Sequence, residues 1–171
     1  RNLIIYDIDN DYRLDVIIVN LWQGTIGVLY GQPDFAFLQV GKIAMGTGLQ
    51  STALTLADFN NDTHPDLAVT YVAGNSVSVA LGNGDRSFSQ PSFYPLNISS
   101  SSSSMGAGDV NGDGHVDVVA AYPALDEVIV FFGNGQGSFT HHQMLLTGTG
   151  SYPIYVSVQD MNNDRVDDVV V

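Results

Sequence analysis

The stretch DVNGDGHVD, residues 109–117, places an oxygen-bearing side chain at every second position over five residues and adds another Asp four residues later. Three further versions occur, DIDNDYRLD at 7–15, DFNNDTHPD at 58–66 and DMNNDRVDD at 160–168. We number these four segments loops 1 to 4 in chain order, and each begins 51 residues after the one before it. Such constant spacing predicts one supersecondary unit repeated along the chain, in which each copy needs its neighbours to bury its apolar face.

The same period continues outside the loops. Apolar, glycine and phenylalanine positions recur with it at Ile26, Val77 and Val128, at Gly31, Gly82 and Gly133, and at Phe37, Phe88 and Phe139. No insertion or deletion interrupts the register, so the copies share one structure.

Each copy contains four short apolar segments. In the second copy these are STALTLAD (51–58), LAVTY (67–71), VSVAL (77–81) and FSQPSFYPL (88–96), separated by turn residues. Alternation of this kind predicts strands and turns, and no window has a helical period. The unit is therefore predicted to be a four-stranded antiparallel meander, and the chain an all-β protein whose units pack radially as blades of a β-propeller. We expect the segment before each loop to be the innermost strand, since it carries small residues in places (Ala53, Ala57, Gly106, Ala107, Gly108).

The repeat also predicts the domain organisation. Residues 1–171 form a single repeat domain with blade 1 at 1–50, blade 2 at 51–101, blade 3 at 102–152 and the first half of blade 4 at 153–171. About three and a third blades are present, whereas propellers close with about four to eight. Unpaired strand edges invite another chain. We therefore expect either continuation in a longer repeat chain or closure by self-association.

Composition excludes several classes of partner. The net charge is −13, and 14 of the 18 Asp and Glu residues lie inside the loops. So acidic a chain lacks the Lys and Arg that displace counterions from nucleic acids or anionic membranes. We therefore expect no nucleic-acid binding. We also expect no membrane insertion, because no apolar run approaches about 20 residues. The absence of Cys excludes disulfides and thiolate metal sites.

The loops are predicted to bind calcium. Asp or Asn at positions 1, 3, 5 and 9 provides side-chain oxygens, and position 7 provides a backbone carbonyl. Ca²⁺ takes about 6–8 oxygen ligands in such alternating loops, whereas zinc and copper prefer imidazole or thiolate. Up to four structural Ca²⁺ ions would change the formal charge from −13 to −5. The candidate ligands are Asp7, Asp9, Asp11, Arg13 and Asp15; Asp58, Asn60, Asp62, His64 and Asp66; Asp109, Asn111, Asp113, His115 and Asp117; Asp160, Asn162, Asp164, Val166 and Asp168.

Three other interpretations of the loops are weaker. An EF-hand needs a Glu at position 12 and flanking helices, but position 12 holds Ile18, Val69, Ala120 or Val171 in predicted strands. A dockerin-type loop would be followed by a helix. The preference of Asp and Asn for turns explains one such loop but not four in register.

Position 6 distinguishes the loops from one another. Gly114 provides the glycine that a sharp turn favours, whereas Tyr12, Thr63 and Arg165 occupy this position elsewhere. Residues with a Cβ are disfavoured at positive φ, so loops 1, 2 and 4 are expected to bind more weakly.

With these loops between the first and second strands, and with FFGNGQGSF, ALGNGDRSF and LYGQPDFAF in register, the chain resembles the FG-GAP or VCBS repeats of integrin α-subunit propellers. The Phe-Gly pair is present at Phe132-Gly133 and degenerate at Leu81-Gly82 and Tyr30-Gly31. The resemblance implies a seven-bladed propeller, structural calcium on one face and an extracellular or cell-surface role in adhesion or recognition. Kelch repeats have a similar period, but their Gly-Gly doublet is absent.

The expected function is that of a calcium-stabilised adhesion or scaffold module with a protein ligand at one propeller face. The alternative is a glycan-binding lectin. A multivalent lectin should repeat its stacking aromatic, yet Trp22 becomes Ala73 and Ala124, while Tyr71 and Tyr122 are more typical of packing residues. We expect no enzyme, since catalysis needs one asymmetric site and these carboxylates are repeated in equivalent positions.

Two minor features complete the sequence. The serine run 99–104 is interpreted as a flexible linker between blades. Asn61 and Asn97 match the N-glycosylation sequon, which is a weak signal.

Overall fold

The structure is a computed structural model that describes residues 3–20, 25–34, 37–45, 50–72, 76–96, 98 and 100–171. Trp22, Ala73 and Asn97 lie outside this range. The described residues form fourteen strands and one 3₁₀ turn at Pro123–Leu125. The strands are β1 (Leu3–Tyr6), β2 (Asp15–Asn20), β3 (Thr25–Gly31), β4 (Phe37–Ala44), β5 (Ser51–Ala57), β6 (Asp66–Tyr71), β7 (Ser76–Ala80), β8 (Ser92–Pro95), β9 (Ser104–Gly108), β10 (Asp117–Tyr122), β11 (Glu127–Gly133), β12 (Phe139–Leu146), β13 (Ser157–Gln159) and β14 (Asp168–Val170).

The strands form three four-stranded sheets, β1–β4, β5–β8 and β9–β12, and one two-stranded sheet, β13–β14. Every pairing is antiparallel between strands adjacent in sequence. The predicted all-β fold of antiparallel meanders is therefore confirmed. No helix among the described residues is long and apolar enough to cross a membrane.

Apolar side chains fill the spaces between consecutive sheets. Along β6, Leu67 and Val69 pack with side chains of the first sheet, such as Ile17, while Ala68 packs with side chains of the third sheet, such as Val118. All five side chains are fully buried. Because successive strand residues point to opposite faces, each middle sheet contributes to two cores. The repeats therefore stabilise one another, as the constant period predicts.

The first strands of neighbouring sheets lie side by side, since β5 contacts β9 and β9 contacts β13. A Cβ at Gly106 would lie 2.8 Å from the Val158 side chain, and one at Gly108 would lie 2.3 Å from the Asp167 carboxylate. Small residues are therefore required where these strands approach, which agrees with their interpretation as innermost strands.

The two end sheets each leave one face uncovered. Leu3 is 55% exposed, whereas Leu54, at the same position of the next repeat, is 2% exposed. At the other end Val170 is 48% exposed, whereas its counterpart Val119 is fully buried. In each pair the buried residue is covered by a neighbouring sheet that the end sheet lacks.

The interpretation of the serine run as a flexible linker is wrong for the part that the structure describes, residues 100–104. Ser102 and Ser104 are 4% and 5% exposed, and Ser104 opens β9. The Ser102 hydroxyl bonds those of Thr70 and Thr52. Short hydroxyl side chains fit here because neighbouring first strands are close together.

Candidate metal loops

Each loop connects the first two strands of its sheet, and all four have the same backbone conformation. Positions 4 and 6 adopt positive φ in every copy. The angles are 57° and 65° at Asn10 and Tyr12, 60° and 71° at Asn61 and Thr63, 75° and 81° at Gly112 and Gly114, and 63° and 73° at Asn163 and Arg165. The two left-handed residues turn the backbone sharply, and in loop 1 the carboxylates of Asp7, Asp9 and Asp15 converge. Position 6 therefore does require the conformation that glycine favours.

Backbone N–H groups hold the carboxylates in place, as loop 3 illustrates. The Asp109 carboxylate accepts hydrogen bonds from Asp113 N at 3.2 Å and from Gly114 N at 2.8 Å. Asn111 Oδ1 also accepts from Asp113 N, at 2.8 Å, and Asp113 Oδ1 accepts from His115 N at 2.8 Å. The same bonds recur in loops 1, 2 and 4. Each side chain at positions 1, 3 and 5 is thereby oriented before any ligand arrives.

The Asp at position 9 joins the loop to the rest of the sheet. In loop 2, Asp66 is fully buried, and its two oxygens accept from Phe59 N at 2.8 Å and from Gly82 N at 2.7 Å. Asp15 and Asp117 make the same pair of bonds. This residue therefore connects the loop to the end of the sheet's third strand.

Burial affects the acidity of these position 9 carboxylates. Desolvation raises the pKa of Asp66 to about 6, and the nearby charges of Asp62 and Asp58 act in the same direction against the two N–H donors. Desolvation also raises the pKa values of Asp15 and Asp117. A buried carboxylate that is costly to ionise favours a nearby cation.

Position 5 is affected in the opposite direction. The hydrogen bond from His115 N lowers the pKa of Asp113, with help from the Asn111 side chain. Desolvation acts to raise the pKa of Asp62, but the hydrogen bonds from His64 N and from the Asn60 side chain outweigh it and lower that pKa. The lowered pKa favours the ionised form of these carboxylates, which is the form that a cation binds.

The donor set fits calcium. Oxygens of Asp7, Asp9 and Asp15 in loop 1 lie within 4.8 Å of one another, close enough to share one ion. The Asp and Asn side chains at positions 1, 3, 5 and 9 of the loops offer carboxylate or amide oxygens, the donors that Ca²⁺ prefers. Of the predicted ligands, these side chains and the position 7 carbonyls could hold the ion, while the Arg13, His64, His115 and Val166 side chains are not oxygen donors.

The histidine rings at position 7 serve a packing role. A Cβ at Gly84 would fall 2.4 Å from the His64 ring, and one at Gly135 would fall 2.5 Å from the His115 ring. Each ring therefore lies directly against the glycine of the turn that follows the third strand. The predicted ligand at position 7 is therefore the backbone carbonyl, and the imidazole is a packing group.

Three contacts around the loops were not predicted from the sequence. Asp167 Oδ2 accepts from Asp109 N at 2.9 Å, which connects loop 4 to loop 3. The backbone at Gly82, after the third strand, lies so close to loop 2 that a Cβ there would be 2.4 Å from Pro65 O. Arg86 of the second sheet reaches loop 1. The recurrence of this glycine every 51 residues could have indicated the close approach at Gly82. No local sequence pattern indicates the contacts of Asp167 and Arg86.

The proposed lectin aromatics can also be located. Tyr71 and Tyr122 are both 2% exposed, and the Tyr71 hydroxyl donates to Met45 O at 2.5 Å. Burial raises the pKa of Tyr71 to about 12. These rings are packing residues and cannot stack on a sugar. A cavity of about 220 Å³ between the first two sheets is lined in part by Tyr30, Lys42 and Arg86.

Comparisons with known proteins agree with this architecture. A family model described as an FG-GAP-like repeat matches residues 7–69, 58–120 and 109–171. No curated protein matches the chain. Among solved structures, a lectin of Agrocybe aegerita, in a study of specific recognition of non-reducing terminal N-acetylglucosamine, is similar with a TM-score of 0.66 and 19% identity. The match covers 99% of this chain and 46% of the lectin chain, so this chain spans less than half of that protein's length.

Proposed function

Because the chain belongs to the FG-GAP-like repeat family, we propose that it is a calcium-stabilised binding module of an extracellular or cell-surface propeller, acting in adhesion or as a scaffold. The observation that carries this proposal is the fourfold repetition of one oxygen-lined loop, with the carboxylates of Asp7, Asp9 and Asp15 within 4.8 Å of one another. Calcium would be structural. Equivalent carboxylates repeated in every loop are typical of a structural role, whereas catalysis needs one asymmetric site. No enzymatic activity is therefore proposed.

Calcium would stabilise the blades by relieving repulsion between ionised carboxylates. Each loop gathers three or four of them, and like charges about 4 Å apart repel by about 1–4 kcal/mol. Through the buried Asp at position 9, the same ion would strengthen the connection between the loop and the third strand. Extracellular sites of this type need to bind only at about millimolar calcium.

Thermal melting in calcium, magnesium and chelator tests this proposal. We expect calcium to raise the melting temperature well above its value in chelator, and magnesium to have a smaller effect because it requires a tighter octahedral site. Asp109→Asn should reduce the calcium effect. Asp34→Asn, an acidic residue outside the loops and exposed, is the matched control and should leave it unchanged. Equal melting temperatures in calcium and chelator would reject structural calcium.

The ligand of this module is proposed to be a protein that binds one propeller face. Glycan binding is the second candidate, and it is favoured by the likeness in fold to the Agrocybe aegerita lectin. Because Tyr71 and Tyr122 are buried, a glycan site would have to use other side chains. A glycan array probed with the calcium-loaded protein separates the candidates: sugar-specific binding that chelator abolishes would support the lectin, and its absence would support a protein ligand.

The uncovered end faces support a further proposal, that another repeat of the same type packs on each of them. The exposed Leu3 and Val170 hold positions that are buried elsewhere in the chain. The covering repeat belongs either to a longer chain, as in a seven-bladed propeller, or to a second copy. Sedimentation tests both arrangements together: self-association of this chain would support them, and a well-behaved monomer would contradict both.

A further inference from the structure

Arg86 places a positive charge from the second sheet against the carboxylates of loop 1. Its Nε donates to Asp9 Oδ2 at 2.6 Å, and its Nη2 lies 3.5 Å from Asp11 Oδ2. The Asp9 side chain is 4% exposed at this contact. A guanidinium therefore already neutralises two of the side chains that would bind the ion of loop 1.

The conformation of Arg86 shows how it is held there. Its φ of 71° is disfavoured for a residue with a Cβ, and the residue one repeat later, Gly137, has φ of 75°. The chain thus carries an arginine where the same turn takes a glycine. The guanidinium carbon also lies 4.6 Å from the centre of the Tyr30 ring, a cation–π distance. Contacts with the first sheet hold the side chain and offset its unfavourable backbone angle.

Loop 1 differs from loop 2 in this respect. Arg13 at position 7 also pairs with Asp11, so two guanidinium groups lie at loop 1. At the corresponding place beside loop 2, the third sheet offers backbone atoms: Gly137 N donates to Phe59 O at 2.8 Å.

We propose that Arg86 acts as the built-in cation of loop 1, holding the junction between the first two sheets without metal and making loop 1 the weakest of the calcium sites. This inference rests on the proposed calcium binding. A dication that enters the loop must displace or approach the guanidinium on Asp9 and Asp11, and the two positive charges repel. The coupling between them is expected to weaken binding by about tenfold, within the usual range for linked sites.

Calcium titration calorimetry on Arg86→Met tests the proposal. The variant removes the charge and keeps an apolar stem beside Tyr30, and Arg86→Gly, which restores the residue of the next repeat, provides a second variant. Lys42→Met is the control, because it removes one positive charge at an exposed residue outside the four loops and changes the net charge equally. We expect the weakest calcium step to tighten about tenfold in the Arg86 variants and to stay unchanged in Lys42→Met. Asp7→Asn, which disables loop 1, should remove that step.

Melting in chelator measures the other half of the proposal. Without metal, Arg86→Met should melt about 2–4 °C below wild type, because the carboxylates of loop 1 then lose their neutralising charge. Calcium binding that is unchanged in Arg86→Met and Arg86→Gly would overturn the inference while the proposed function stands, as would equal melting of Arg86→Met and wild type in chelator. Absence of calcium binding in wild type and in every variant would overturn both.

Discussion

Asp117 accepts a hydrogen bond from the backbone N–H of Gly133 at 2.8 Å, across a separation of sixteen residues. The bond connects the end of loop 3 to the last residue of β11, and Asp15 and Gly31 repeat it in the first sheet at 2.8 Å. The glycine is required by close approach, since a Cβ at Gly133 would lie 2.1 Å from Val116 O. The glycine of the Phe-Gly pair is therefore the partner of the loop.

Gly133→Ala should destabilise the protein by about 1–3 kcal/mol, because the new methyl group must push the β11 backbone away from Val116 and Asp117. Gly27→Ala is the control. Its Cβ would lie 3.3 Å from the Asn20 side-chain amide, which can move. Chemical denaturation of both variants measures the difference, and equal stabilities would show that the close approach is unimportant.

Thr63→Gly should stabilise the metal-free protein by about 1 kcal/mol. Thr63 holds φ of 71° and is exposed, so the change removes backbone strain with little loss of packing. The reciprocal Gly114→Thr should destabilise it by a similar amount, since a Cβ there meets nothing within 4 Å and the cost is confined to the backbone. Denaturation in chelator compares the two variants, and a loss of stability in Thr63→Gly contradicts the strain argument.

Ser102→Ala should cost about 1–2 kcal/mol, because it leaves the buried hydroxyl of Thr70 without one of its hydrogen-bond partners. Ser101→Ala, in the same serine run, removes a more exposed hydroxyl that donates to Val72 O at 3.2 Å. Its effect is expected within about 0.5 kcal/mol. Thermal denaturation of both variants provides the test, and equal effects would return the run to the status of a linker.

The sequence predicted the features that depend on local pattern. The four apolar segments of each copy were predicted to be strands, and each of the first three sheets does have four strands, because strand alternation and turn residues act within a few positions. Position 6 of the loops was identified as one that favours glycine, and Tyr12 and Thr63, which occupy it in loops 1 and 2, do adopt positive φ.

Contacts between blades could not be predicted in this way. Arg86 and Asp9 are 77 residues apart, and nothing in the sequence around either residue indicates the other. The serine run was misinterpreted for a related reason: its hydroxyls are buried by neighbouring first strands, whereas composition alone describes a segment without its surroundings. The proximity of Asp167 to loop 3 likewise depends on how successive sheets pack.

The raised pKa of Asp66, about 6 against an ordinary 3.8, predicts an unusual pH dependence for the metal-free protein. Because the folded state binds this proton more tightly than the unfolded chain, the contribution of Asp66 to stability is complete below about pH 4 and is lost as the pH rises through about 6. The melting temperature of metal-free protein should therefore fall between about pH 4.5 and 7. Burial of Asp15 and Asp117, whose pKa values are also raised, adds to this trend.

Asp66→Asn should flatten this dependence of the melting temperature on pH, whereas Asp34→Asn should leave it intact. With calcium bound the trend should reverse, since protons compete with the ion for the same carboxylates, and a metal-free protein whose stability rises over this interval would contradict the prediction.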